Sequence, residues 1–296
     1  MAVEPFAGPG PRETHWAKYP LPPMLPRPVH KHNQHGHYVL PDPITGLPIG
    51  FVRATTAAKT LDDTYNLSRW STRQQVASVL RLADAATDPA NEVARKMFAD
   101  LCDRIAKGNG PNVNELLDEI DGFAGGKNSA EFGDAVHEWC AALDASMVTV
   151  DQVPDLFKPW VTAYQGILAR AGLIAVAQYV ERTVMNDSGI ERVVGTLDRL
   201  FLCVATGELY LGDLKTSKSD NVKYSWMTWP TQLVGYARAR LMWGLDGATW
   251  EPMPPINQDV GLLIHLPSDA PKQAKLLALN LAPADAYMAT SLGARH

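Results

Sequence analysis

Three cysteines, Cys102, Cys140 and Cys203, are all that the 296-residue chain contains. They are isolated and odd in number, so no disulfide framework is implied, and Cys140 and Cys203 read as small buried apolar residues. No apolar run reaches membrane-spanning length, and the Pro-rich start lacks the apolar core of a signal peptide. The expectation is a soluble, cytoplasmic protein with no membrane partner. Cationic excess is also missing. The net charge of -5 argues against a protein that coats nucleic acid nonspecifically, although it leaves room for a local basic track. No internal repeat is present, which excludes solenoid and propeller architectures. With 46% hydrophobic and 20% charged residues, the chain has ample material for one large core or two modest ones.

The stretch from Gly195 to Lys218, GTLDRLFLCVATGELYLGDLKTSK, carries the most information. Two strand-like runs flank Ala205-Thr206-Gly207-Glu208, with Asp198 in the first and Asp213-Leu214-Lys215 in the second. Residues two apart on a strand share a face, so Asp213 and Lys215 point the same way. A two-residue Thr206-Gly207 turn pairs Asp198 with Lys215, and a turn starting slightly earlier pairs Asp198 with Asp213. Either register brings two carboxylates and a lysine onto one face. Two carboxylates repel unless a cation lies between them, and oxygen ligands suit a hard cation such as Mg2+. The bland alternative is a solvent-facing cross-strand ion pair. Gly195-Thr196-Leu197 ahead of Asp198, and Thr216, Ser217 and Lys218 behind Lys215, favour a phosphodiesterase centre, since hydroxyls and positive charge suit a phosphate backbone.

These residues resemble the RecB-like branch of the PD-(D/E)XK nucleases, particularly the small exonucleases of phages and CRISPR systems. Four blocks occur in the family's order: Gly133 to His137, like Gly-x-x-x-His; Gly195 to Asp198; Asp213 to Thr216; and Gln232 to Tyr236, like Gln-x-x-x-Tyr. A run from Arg53 to Trp70 is similar to the family's Thr-rich helix start, so the resemblance covers roughly residues 50 to 240. It implies an α/β restriction-endonuclease-like mixed sheet flanked by helices, with a helical N-terminal region. It also implies hydrolysis of DNA phosphodiester bonds in phage replication, recombination or repair, in the host's cytoplasm if the gene is phage-borne. Many relatives bind an iron-sulfur cluster through four cysteines; three scattered ones cannot, so none is expected here.

The resemblance implies a Mg2+ or Mn2+ site of His137, Asp198, Asp213 and the Leu214 carbonyl. Imidazole is better suited to Mn2+ than to Mg2+. Lys215 is the natural partner of a metal-bound water, with Asp198 and Asp213 completing the catalytic set. Gln232 and Tyr236, one helical turn apart, are implied to contact nucleic acid and brace the metal site, and Thr216, Lys218, Arg238 and Arg240 are candidate phosphate contacts. Glu181 is either a further acidic contributor or an exposed strand carboxylate. The rival functions are a site- or structure-specific endonuclease and a catalytically silent DNA-binding module.

The organisation expected is a Pro-rich extended arm over 1–50, a helical region over 51–125 and a nuclease core over 126–296. His30, His32, His35 and His37 read as a polar loop, because no Cys or acid stands at zinc-site spacing. Helices are expected over 55–82 (Asp62, Asp63 and Ser68 as start signals, Trp70 as an apolar anchor), 92–106, 113–120, 129–148, 153–171 and 283–292. The Gln232 helix is expected to continue through Arg238 and Arg240, and strands at 260–266 and 275–280 to form a hairpin. A Gly-rich loop is expected over 121–128. The helical region is placed as a roof over the catalytic groove, which favours a threaded, single-stranded or frayed end. Arg53, Lys59, Arg69 and Arg73 are read as a solvated helix face by default, with a second basic track as the alternative, and Lys223, Tyr224, Trp226 and Trp229 either as a base-stacking segment or as aromatic packing over the active-site hairpin.

Overall fold

The computed structural model describes residues 19–62, 65–108, 110–125, 128–189, 191–220 and 227–295. The chain begins with strands β1 (Lys31–His32), β2 (Tyr38–Pro41) and β3 (Pro48–Arg53) and the short helix α1 (Ala54–Ala58). Helices α2 (Tyr65–Ala85), α3 (Glu92–Ala106), α4 (Gly110–Phe123), α5 (Asn128–Asp144) and α6 (Lys158–Ala171) follow. Strands β4 (Leu173–Ala175), β5 (Arg182–Asn186), β6 (Val193–Leu197), β7 (Arg199–Cys203) and β8 (Leu209–Lys215) precede helix α7 (Thr228–Ala237). The chain continues through β9 (Leu241–Trp243), β10 (Trp250–Pro252), β11 (Val260–His265), β12 (Lys275–Asn280) and helix α8 (Ala282–Gly293).

Two compact units result, one of Pro20–Asp62 with Gly133–His296 and one of Asp63–Phe132. The first is α/β and, among the described residues, carries two mixed sheets. Their strand orders are β1-β2-β3-β6-β5-β9-β10 and β12-β11-β8-β7-β4. The β3–β6 and β8–β11 pairs are parallel and the remaining pairs antiparallel. The chain changes sheets twice at neighbouring places. Between β4 and β5 it passes Glu181, between β6 and β7 it passes Asp198, and the Glu181 N–H donates to the Asp198 carbonyl at 2.7 Å. Leu197, Leu200, Leu211 and Leu233 are fully or almost fully buried around this crossover. Each such side chain contributes roughly 1.5–3 kcal/mol by leaving water.

The second unit is helical. Leu82, Ala94, Leu101, Leu116 and Ile120 form its core, and Asn91 caps α3 by accepting the Ala94 N–H.

Several elements differ from the sequence expectation. Residues 31–53 form strands rather than an extended arm, because prolines sit where a strand starts (Pro48) or stops (Pro41), on a pair of strands whose own pairing is antiparallel. Asp62 does not start a helix; it accepts a hydrogen bond from Thr228 Oγ1 at 2.9 Å. Asp63 lies outside the described residues. Trp70 is 55% exposed and anchors nothing. Helix α4 runs through Asp121 and Gly122, where a loop was expected, since Asp121 accepts the Ser78 hydroxyl at 2.7 Å. Helix α7 ends at Ala237, so Arg238 and Arg240 do not continue it. The β11–β12 hairpin and the terminal helix are as expected. Among the described residues no helix is long and apolar enough to cross a membrane.

Candidate active site

The β7–β8 register settles which carboxylates meet. Arg199 lies opposite Gly212 and Leu202 opposite Leu209, around a loop closed by the Cys203 N–H on the Glu208 carbonyl. Continued by one residue, this register sets Asp198 against Asp213, the earlier-turn alternative. The Asp198 Oδ2 atom accepts the Leu214 N–H at 2.7 Å, and His137 Nδ1 stands 3.6 Å from the same oxygen. A strand residue presents its N–H and C=O to the same side, so the Leu214 carbonyl also points toward the Asp198 side. Asp213 is 2% exposed. Lys215 Nζ lies 2.6 Å from Asp213 Oδ2 without the direction of a proper hydrogen bond, and Gln232 Nε2 lies 3.3 Å from Asp213 Oδ1. The same Gln232 amide reaches Tyr236 Oη at 3.3 Å.

Two glycines make this assembly possible. A Cβ on Gly195 would stand 2.5 Å from the Tyr236 ring and 3.2 Å from Ala54 Cβ, so only glycine lets Tyr236 lie on β6. A Cβ on Gly133 would collide with Thr216 Oγ1. The approach that Gly133 permits is therefore by the Thr216 side chain. The four sequence blocks meet in two glycine contacts, block one with block three and block two with block four.

Electrostatics follow from burial. Burial pulls the His137 imidazole down to about 4 against the opposing pull of Asp198, so the ring is neutral at neutral pH. Burial and the neighbouring Asp198 push Asp213 up to about 6 although Lys215 opposes them. Asp198 is held below the ordinary carboxylate value: burial works against it, and His137, Lys215 and Arg199 prevail. Lys215 is held above its ordinary value, because Asp213 and Asp198 outweigh its burial.

Glu181 belongs to the same centre. It is mostly buried, at 18% side-chain exposure, and its backbone takes the left-handed φ of 54°, uncommon for a residue with a side chain. Burial and Asp198 push its carboxyl up to about 8. Arg27 stands 3.0 Å from Glu181 and 2.7 Å from Glu138, the residue after His137, and so links the turn beside Asp198 to helix α5. Of the two readings of Glu181, the exposed strand carboxylate is the one that fails.

Sequence reasoning missed Arg199 altogether. It is fully buried, its Nε 3.1 Å from Asp144 Oδ2 and its guanidinium 5.3 Å from the Tyr164 ring centroid. Tyr164 donates its hydroxyl to the same Asp144 oxygen at 2.7 Å. Placed directly after Asp198 on a strand start, an arginine looks like a solvent-facing residue; only the fold turns it inward.

The other candidates separate. Tyr236 is 3% exposed and braces Gln232 rather than presenting a surface. Thr216 is half-buried beside Gly133, and Lys218 is exposed. Arg238 is held by Asp285 and Gln258, and Arg240 by Asp187, so neither extends a basic track from Lys215. Lys223, Tyr224 and Trp226 lie outside the described residues; Trp229 stands 6.2 Å from the His265 ring. Among the four N-terminal histidines, His30 hydrogen-bonds Thr183 Oγ1 at 2.7 Å and His32 packs on Tyr38.

Among the described residues no group of three or more His, Cys, Asp or Glu side chains converges closely enough to hold a metal ion. The donors nevertheless fit a hard divalent cation: two carboxylates, a neutral imidazole and a backbone carbonyl. Asp213 Oδ2 is a buried acceptor with no well-directed hydrogen bond, its nearest positive charge being the Lys215 ammonium at 2.6 Å. Comparison with protein-family models and with curated proteins found no match.

Proposed function

We propose that the chain is a metal-dependent deoxyribonuclease with a RecB-like PD-(D/E)XK core, hydrolysing phosphodiester bonds from a DNA end. One observation carries this reading: the buried Asp213 on β8 and the partly buried Asp198 at the β6–β7 crossover share a site with Lys215, whose Nζ lies 2.6 Å from Asp213 Oδ2. A structural ion pair needs one acid for one base. Here Asp198 and Asp213 lie side by side with Glu181 close behind, and burying several carboxylates together is costly without a purpose.

Asp198, Asp213, His137 and the Leu214 carbonyl would hold Mg2+ or Mn2+. When bound, the cation lowers the pKa of a water and polarises the phosphoryl oxygen. The Lys215 ammonium would stabilise a hydroxide nucleophile and offset the charge that builds on the attacked phosphate. Gln232, steadied by Tyr236, fixes the Asp213 carboxylate through Oδ1. Neutral His137 offers a lone pair without adding charge. Thr216 and Lys218 follow the catalytic strand and meet the phosphate backbone.

The test is incubation of the purified protein with end-labelled linear DNA and covalently closed circles, in Mg2+, Mn2+ or EDTA. Cation-dependent shortening of the linear strand, with the circles left intact, is expected. Absence of cleavage with either cation refutes the hydrolase reading, and efficient nicking of the circles replaces the end requirement with an endonuclease.

A further inference from the structure

In the N-terminal half of α2, six successive described residues face water. Ser68, Arg69, Trp70, Ser71, Thr72 and Arg73 are all exposed, while the helix contributes to its unit's core only from Ser78 and Leu82 onward. Six successive exposed residues gain little from tertiary burial, and leaving an indole in water forgoes one of the largest apolar contributions available. Its charge is equally one-sided. The only acid in the 21 residues of α2 is Asp84, in the last turn, against Arg69, Arg73 and Arg81.

Helix α3 shows what an ordinary solvated face looks like in the same unit. There Lys96 pairs with Glu92, Arg104 with Asp100 and Lys107 with Asp103, each four residues apart. On α2, Arg69 lies over the Tyr65 ring at 5.7 Å and Arg73 reaches only the Arg69 carbonyl. Among the described residues neither has a carboxylate partner. Arg69 and Arg73 are separated by one helical turn, about 6 Å of rise, and Trp70 is three residues from Arg73, so ring and cations lie on adjoining strips.

We propose that this half-helix is a docking strip for single-stranded nucleic acid, with Arg69 and Arg73 on successive phosphates and Trp70 stacked on a base. Charge complementarity selects the occupant. Two arginines without acids, beside an indole in water, are what a polyanion with exposed ring faces requires, and an acidic protein surface would leave the indole without a partner. The choice of DNA as the ligand rests on the nuclease reading; the strip itself does not.

The experiment is fluorescence anisotropy of a labelled 20-nucleotide oligo-dT with the full chain in EDTA, across a salt series. Replacing two phosphate contacts, in the double variant Arg69→Ala with Arg73→Ala, should lower the slope of log K against log salt by about 1.4, at about 0.7 per contact on a single strand. Trp70→Ala should weaken binding about 5- to 150-fold with the slope unchanged. All three side chains are exposed, so melting temperatures should stay at the wild-type value. Wild-type affinity in either variant overturns the proposal, as does failure of the oligonucleotide to bind at low salt, which would leave the strip to a protein partner. Because EDTA prevents cleavage, the two readings fail separately. Binding through α2 without any Mg2+- or Mn2+-dependent hydrolysis removes the nuclease and keeps the strip. Hydrolysis with both variants binding normally does the reverse.

Discussion

Asp144→Asn should be among the most damaging single substitutions in the α/β unit, although Asp144 touches none of the proposed catalytic groups. Arg199 is fully buried and Asp144 is 4% exposed, so the guanidinium has no access to water if the carboxylate is lost. Breaking a buried pair by removing one partner costs about 3–5 kcal/mol, because a charge is left uncompensated in a low-dielectric interior. Asparagine keeps an acceptor for the Tyr164 hydroxyl; Asp144→Ala removes that as well and should cost about 1 kcal/mol more. Total stabilities run to about 5–15 kcal/mol, so either change takes a large share. In thermal melts, with about 2–4 °C lost per kcal/mol at this size, Asp144→Asn should fall by roughly 6–20 °C. The apolar double variant Asp144→Leu with Arg199→Met should recover most of that loss, because neither charge then remains to be solvated. An Asp144→Asn variant within about 1 kcal/mol of wild type in urea titrations would refute the reasoning and place Arg199 in contact with water.

Lys215→Ala should lower cleavage by at least about 100-fold while calorimetry shows Mn2+ binding retained, since the ammonium now contacts the Asp213 oxygen that a cation would use. Activity within a few-fold of wild type would remove Lys215 from the chemistry. Gly195→Ala should cost about 1–3 kcal/mol in urea unfolding and lower activity too, by driving Tyr236 off β6 and releasing Gln232; an unchanged midpoint would mean that the contact relaxes freely. Glu181→Gln should change how stability depends on pH in EDTA. The folded carboxyl titrates at about 8 and its ordinary value is 4.5, so the folded chain binds the extra proton between them and loses stability as pH rises through that window. The variant should lack that loss and exceed wild type at pH 9, and parallel stability curves from pH 5 to 9 would count against it.

What the sequence made legible was local. The 92–106 helix, the β11–β12 alternation and the turn after Cys203 specify their elements from near neighbours, and the α5 and α7 motifs needed only helical spacing. Asp198, Asp213 and Lys215 were legible as a group because one hairpin carries all three. What was hidden depends on the change of sheet at Asp198 and Glu181. Nothing in the order of residues announces that the run 193–203 is two strands in different sheets, and on a single straight strand Arg199 would face solvent. Residues 1–50 read as an arm because their proline content masks alternation, and β3 owes its place to β6, some 140 residues later. Trp70 misled for the opposite reason: an aromatic on a helix is usually core, and here it is held in water.

The charge inventory connects these pieces. Glu138, Asp144, Glu181, Asp198 and Asp213 supply five carboxylates, while Arg27, Arg199 and Lys215 supply three cations and His137 is neutral at neutral pH. Fully ionised, the cluster carries two surplus negative charges. Burial drives Glu181 to about 8 and Asp213 to about 6, the direction in which a cluster with surplus acid sheds charge by holding protons. Arg199 is confined by the core and Arg27 is committed to Glu138 and Glu181, which leaves Lys215, half-buried and 2.6 Å from Asp213 Oδ2, as the cation beside the two carboxylates of the proposed site. On the proposed reading a divalent cation would discharge the same surplus by displacing protons, so its binding should strengthen as pH rises. The entry of that charge would turn Lys215 from a counter-ion of Asp213 into an unpaired ammonium beside the reacting phosphate. The features that look expendable as a structural ion pair, an extra acid and a lysine with poor hydrogen-bond direction, are the ones that this exchange requires.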